Sequence, residues 1–338
     1  MTRFEICIDA EKSSIVPETL VTARGTQRRG TVAAMAKASA VKFFVPCCIL
    51  IWLINEPVFA QPGEFRAARY KNMPYQLFEP EDLSPGDRVP LVVGLHGAGK
   101  RNMPISKVLM KFHTVPADPE FQKRFPCYIL APKTSVSWFP EEIKEPGWTP
   151  GQVAKLPDYW KKSYAKVIDQ LAKPPENGFG EQEILFELID ELLGQNKIDA
   201  TRIYIVGFSM GGSGTWQAVA ARPDFFAAAI PAAGGRLFPW QWNKEVLSVP
   251  LWAFQGSEDD VTAAERHQTL FEYAKSIGGN MKYTEFEGAG HGITDYVFTP
   301  SGEIRYDGQY KTSLSGTACD DQKNVWEWLF SKRTPGHR

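Results

Sequence analysis

The chain alternates between short apolar runs and longer mixed stretches, and this rhythm predicts its secondary structure. Val89–Leu95, Tyr128–Ala131, Arg202–Val206, Ala227–Ile230 and Leu251–Phe254 are nearly continuous apolar runs. Runs of that length, bounded by glycine, proline or polar residues, read as strands buried on both faces. Lys282–Phe286 alternates apolar with polar and also reads as a strand. Glu64–Glu79 reads as an opening hairpin. Glu181–Leu193, Ser209–Ala221, Thr262–Ser276 and Asp321–Phe330 read as helices. Strands that alternate with helices imply an α/β fold, with a mostly parallel sheet covered on both faces.

Two regions break the rhythm. The segment 133–180 is long, carries several prolines and glycines, and holds Trp138, Trp148 and Trp160. It leaves the C-terminal end of a strand, the edge where ligand sites form in α/β sheets. The expectation is a cap-like insertion shaping an aromatic-lined cleft, with the group Phe238-Pro239-Trp240-Gln241-Trp242 contributing. At the other break, Phe43–Leu53 is apolar, follows Lys37 and Lys42, and precedes Val58-Phe59-Ala60. That is the layout of a secretory signal peptide. The run is shorter than the roughly 20 residues of a membrane span. The expectation is cleavage after Ala60, with Met35 as the start that gives a leader of ordinary length. Residues 61–338 then form a single domain, secreted or periplasmic, with no stable membrane span.

Composition changes this picture little. A net charge of −1 over 338 residues gives no basic excess for nucleic acid. Of the 5 cysteines, Cys7, Cys47 and Cys48 would leave with the leader. Cys127 and Cys319 would remain and could pair in an oxidising compartment. No cysteine or histidine spacing resembles a metal site, so neither metal nor cofactor is expected.

The candidate chemistry lies in Gly207-Phe208-Ser209-Met210-Gly211, between the apolar run Ile203–Val206 and a predicted helix. In that strand–turn–helix setting a G-x-S-x-G serine is lifted to the top of the sheet with its hydroxyl exposed. Serine is a weak nucleophile, so it needs a base and an acid that orients the base. Among the 5 histidines, His291 in Gly288-Ala289-Gly290-His291-Gly292 follows a strand and sits between small residues that let it swing over a serine. His337 lies in the C-terminal tail, and His267 falls in a helical stretch where a surface position is expected. His113 lacks glycine or acid context. The acid should lie between serine and histidine in the chain. Glu258, Asp259 and Asp260 follow the strand Leu251–Phe254, and each remains open at this point. An oxyanion hole needs backbone N–H donors. Met210 would supply one, and the loop His96-Gly97-Ala98-Gly99 a second, from Ala98 or Gly97. His96 is then structural.

That loop also matches the first seven positions of a Walker A phosphate loop, Gly94 to Lys100. The eighth position should be Ser or Thr and is Arg101. Pro104 follows too soon for a helix whose N-terminus could bind phosphate. Nucleotide binding is not expected.

The order His-Gly-Ala-Gly, Gly-Phe-Ser-Met-Gly-Gly, Trp-Ala-Phe-Gln-Gly-Ser-Glu-Asp-Asp-Val and Gly-Ala-Gly-His resembles the α/β-hydrolase serine esterases, from about Glu64 to Phe330. The group most resembled is the secreted poly(3-hydroxybutyrate) depolymerase-like and feruloyl-esterase-like proteins, with the related phospholipase/carboxylesterases. The resemblance implies Ser209 as nucleophile and His291 as base. It selects Asp259, because Gly256 and Asp259 fit the family spacing His-Gly-x-x-Asp. Gln255 departs from that pattern where histidine is usual, a departure expected to bear on loop structure more than on activity. The implied partner is an ester: a small molecule, a polysaccharide-linked ester or a polyester. A serine peptidase on the same fold, or a binding protein with a degenerate site, are the alternatives.

Overall fold

Nine strands form one mixed sheet in the computed structural model, which describes residues 63–138, 181–235 and 243–334. The strands are β1 (Phe65–Tyr70), β2 (Met73–Phe78), β3 (Val89–Leu95), β4 (Tyr128–Pro132), β5 (Ile198–Phe208), β6 (Ala228–Ala232), β7 (Leu251–Gly256), β8 (Met281–Phe286) and β9 (Tyr310–Leu314). Their order across the sheet is β1-β2-β4-β3-β5-β6-β7-β8-β9. The six strands from β4 to β8 run parallel, while β1, β2 and β9 add antiparallel edges.

The strand sequences dictate two covered faces. Leu91 and Val93 of β3, with Ile203 and Ile205 of β5, point into one core, whereas Val92, Tyr204 and Val206 point into the other. This is the two-residue alternation of a strand applied to a run that is apolar at every position. Helices α3 (Glu181–Gln195), α4 (Met210–Ala221) and α5 (Glu265–Ser276) supply the first core through Leu185, Leu188, Ile189, Trp216, Leu270 and Ala274. The second core is closed by four short helices, α1 (Lys111–Thr114), α2 (Pro119–Arg124), α6 (Thr294–Val297) and α7 (Val325–Phe330).

The connections place the functional edge. From β3 the chain moves outward to β4, then returns past β3 to β5 and continues the other way. The carboxyl ends of β3 and β5 therefore flank the point where the strand order reverses, the place where ligands bind in open α/β sheets.

Several expectations met a correction. The edge strand β9 was not foreseen, since its side chains are almost all exposed and lack an apolar alternation. Helix α7 starts at Val325 rather than Asp321, because the Asn324 side chain accepts from the N–H groups of Trp326 and Glu327 and caps it there. Cys127 and Cys319 are both free. Cys127 is buried beside Gln122, and burial pushes its thiol up to about 12. The leader, the insertion beyond Trp138 and the group Phe238–Trp242 lie outside the described residues. Among the described residues, no helix is long and apolar enough to cross a membrane.

Candidate active site

Ser209 occupies the turn between β5 and α4 with φ 58° and ψ −119°, a left-handed backbone that only glycine adopts without strain. The turn is held on both sides. The Ser209 N–H donates to Ala232 O (2.9 Å), and Ser209 O accepts from the Ser213 N–H (3.0 Å). A strained non-glycine residue kept in place by its surroundings is a mark of functional sites.

His291 and Asp259 come from the loops after the last two parallel strands. His291 lies in the loop after β8 and Asp259 in the loop after β7. The Glu258 N–H donates to Ala289 O (2.9 Å), the Ser257 N–H to Phe286 O (2.9 Å) and the Gly288 N–H to Ser257 Oγ (2.9 Å). These bonds lace the two loops together and set the spacing between Asp259 and His291. His291 Nδ1 stands 2.8 Å from Asp259 Oδ2, and His291 Nε2 stands 2.8 Å from Ser209 Oγ. The carboxylate can only accept, so Nδ1 carries the proton and Nε2 is left to accept from the serine hydroxyl. The Phe208 ring packs on the imidazole with centroids 4.9 Å apart.

Exposure falls along this line. The His291 side chain is 21% exposed and that of Asp259 is 0%. Five hydrogen bonds make a sealed carboxylate tolerable: Oδ2 accepts from His291, Gln255 Nε2 (2.7 Å) and Thr262 Oγ1 (2.7 Å), while Oδ1 accepts from the N–H groups of Val261 (2.9 Å) and Thr262 (2.8 Å). Burial by itself pushes the Asp259 carboxyl up. The bonds from Thr262, His291 and Val261 outweigh it and hold the group below the ordinary carboxylate range. Of the three acids left open by the sequence, Asp259 alone has this contact with His291 among the described bonds.

The loop after β3 closes the other side. A Cβ on Gly97 would sit 3.4 Å from Ser209 Cβ, so this loop lies against the serine. Ala98 opens a 3-10 turn, Ala98–Lys100. Met210 is the first residue of α4, and its N–H has no acceptor within the helix. Met210, Ala98 and Gly97 therefore sit on the two segments that meet at Ser209. His96 holds the loop from behind: its Nδ1 donates to Gly97 O (2.9 Å), its Nε2 accepts from the Thr134 N–H (3.2 Å), and burial pushes its pKa down to about 4. Only short 3-10 turns follow the loop before Lys111, so the partial phosphate-loop pattern has no helix to complete it.

Trp138, expected on the wall of a cleft, is instead fully buried, and its indole N–H donates to His96 O (2.9 Å). It supports the loop rather than lining an opening. Trp148 and Trp160 lie outside the described residues. His267, expected at the surface, is fully buried and bonded to Gln255 and Trp216. Gln255, Thr262 and His267 were missed as site residues. A signal for His267 was present: with Leu270, Phe271 and Ala274 it completes an i, i+3, i+4, i+7 stripe, the buried face of α5.

The solved structure of a thermostable esterase matches this one with a TM-score of 0.57 and 28% identity, covering 80% of this chain and 63% of that one. The chain has the α/β-hydrolase fold. The model of a family described as PET hydrolase-like matches residues 191–302, which hold Ser209, Asp259 and His291. Among curated proteins, cutinase est2 of Thermobifida alba is 29% identical over 137 residues, 40% of this chain and 42% of that protein. Cutinase 2 of Thermobifida cellulosilytica is 31% identical over 137 residues, 48% of its length. The chain spans less than half the length of these curated relatives.

Proposed function

We propose that this α/β-hydrolase is an exported serine esterase that cleaves carboxylic esters through an acyl-enzyme. The observation that carries the reading is the pair of 2.8 Å contacts from His291, to Ser209 Oγ on one side and Asp259 Oδ2 on the other. Ser209 Oγ attacks the ester carbonyl carbon while His291 Nε2 takes its proton. The N–H groups of Met210 and of Ala98 or Gly97 stabilise the oxyanion that forms. His291 then returns the proton to the departing alkoxide, leaving an acyl group on Ser209. Water repeats the sequence, with His291 as base, and releases the carboxylic acid. Asp259 keeps the proton on Nδ1 and stabilises the imidazolium.

The similarity to cutinases and to a PET hydrolase-like family favours ester over amide substrates, with polyesters among them. Export rests on the apolar run Phe43–Leu53 and the small residues ending at Ala60. One preparation tests both. Protein recovered outside an expressing host should begin at Gln61, hydrolyse short-chain and long-chain p-nitrophenyl esters, and lose that activity in Ser209→Ala. Folded protein with no difference between parent and variant would refute the esterase reading. Retention of residues before Gln61 in all recovered protein would refute cleavage after Ala60.

A further inference from the structure

We propose that Trp216, His267 and Gln255 form a directed chain of hydrogen bonds that fixes the orientation of Asp259, which makes Gln255 and His267 positioning residues for the serine chemistry. The proposal rests on the esterase reading above. All three side chains are fully buried, and none has a hydrogen bond to Ser209 or His291 among the described bonds. Their polar atoms nonetheless run in line from the core between α4 and α5 to the acid. Trp216 Nε1 lies 3.1 Å from His267 Nε2, His267 Nδ1 lies 2.8 Å from Gln255 Oε1, and Gln255 Nε2 lies 2.7 Å from Asp259 Oδ2.

The chemistry of each group gives the chain one direction. An indole N–H can only donate, so His267 Nε2 must be the unprotonated nitrogen. The proton of the neutral ring then sits on Nδ1 and is donated to Gln255. That donation identifies the oxygen end of the Gln255 amide and turns its NH2 toward Asp259. Thr262 O, 2.9 Å from Gln255 Nε2, can only accept and demands the same orientation. Were the amide reversed, its oxygen would face the carboxylate and its NH2 would face the N–H of His267, two clashes inside a sealed pocket. A histidine buried in the core of α5 thus holds a tautomer that reaches the acid through one amide. Apart from His291, the other donors to Asp259, from Val261 and Thr262, come from its own loop. Gln255 is the donor that ties the acid to the sheet, being the penultimate residue of β7.

The test uses the full chain, with its fastest p-nitrophenyl ester and a fluorophosphonate probe that labels an activated serine. Gln255→Met keeps length and removes the donor, and loss of one hydrogen bond to a charged group should lower kcat by about tenfold with KM unchanged. His267→Leu and His267→Asn have nearly the same shape, and both leave the Trp216 N–H without its partner. Asn alone keeps an N–H near the former Nδ1, so it should retain most of the parent kcat while Leu loses severalfold. In a Gln255→Met background, His267→Leu should cost no further activity, because the chain is already cut. Labelling rates should follow kcat. Equal impairment by Leu and Asn, losses that multiply in the double variant, or an unchanged kcat in Gln255→Met would each overturn the proposal. Should His267→Leu not fold, Gln255→Met decides alone. A parent that is neither active nor labelled overturns the esterase reading and this one with it, whereas a labelled parent with insensitive variants overturns this one only.

Discussion

At the scale of single residues, Asp259 is the group whose replacement discriminates most. Asp259→Asn leaves the shape intact but puts an NH2 where Oδ2 now accepts from His291, Gln255 and Thr262. Facing that donor, His291 would place its proton on Nε2 and could no longer accept from Ser209. The expected loss in kcat is about 10³- to 10⁴-fold, the scale seen when the acid of such a triad is neutralised. Steady-state kinetics with circular dichroism checks it, and a folded variant within tenfold of the parent would contradict the assigned role. Ser209 and His291 stood out in the sequence because the glycines around each, and the strand before each loop, are local patterns, whereas Asp259 stayed open beside Glu258 and Asp260 until the family spacing selected it. Gln255 and His267 did not stand out, since the bond between them spans 12 residues and that from Trp216 to His267 spans 51, and only the fold brings these groups together. Trp138 misled for the opposite reason: its place beside prolines and other tryptophans suggested an exposed loop, but its indole N–H has a buried partner in His96 O.

At the scale of elements, the site depends on how closely α4 can approach β3. Gly211 makes that approach possible. A Cβ there would lie 1.9 Å from Leu95 O and 2.9 Å from His96 O, both backbone atoms that cannot move aside alone. Gly211→Ala should cost about 1–3 kcal/mol of stability through overpacking and should also lower kcat, because the displaced loop carries Gly97 and Ala98. Gly194 in α3 is the control. A Cβ there meets no atom within 4 Å, so Gly194→Ala should leave kcat unchanged and add up to about 1 kcal/mol from helix propensity. Denaturant unfolding and kinetics on both variants check the contrast, and a neutral Gly211→Ala would refute the tight approach. The same scale shows where sequence patterns run out. The apolar run Val89–Leu95 marked β3 to its ends, since a strand buried on both faces has no polar residue inside it. Helices α1 and α2, at 4 and 6 residues, are shorter than two full turns and leave no periodic trace.

At the scale of the whole molecule, the alternation of strands and helices sufficed to predict a parallel sheet covered on both faces, while the histidines tie that fold to pH. Three of the 5 are buried and neutral: burial pushes His96 down to about 4, and His113 and His267 down to about 3. Each serves as a fixed hydrogen-bonding group, His113 by reaching Gly94 O (3.0 Å). In the unfolded chain these rings regain a pKa near 6.5. Between about 6.5 and 4 the unfolded state therefore binds protons that the folded state refuses, and stability must rise with pH across that window. Near pH 5 the three sites together approach three protons taken up on unfolding, equivalent to about 4 kcal/mol per pH unit. Carboxylates with depressed pKa values, such as Asp199 at about 2 in its bonds to Thr201 and Arg202, add their loss only at lower pH. Urea unfolding at pH 7, 6 and 5 should show a fall of about 2 kcal/mol over the first step and one nearly twice as large over the second. A stability that stays level from pH 7 to 5 would mean that these rings are charged or solvated in the folded protein, and would remove the neutral His267 on which the orientation of Gln255 depends.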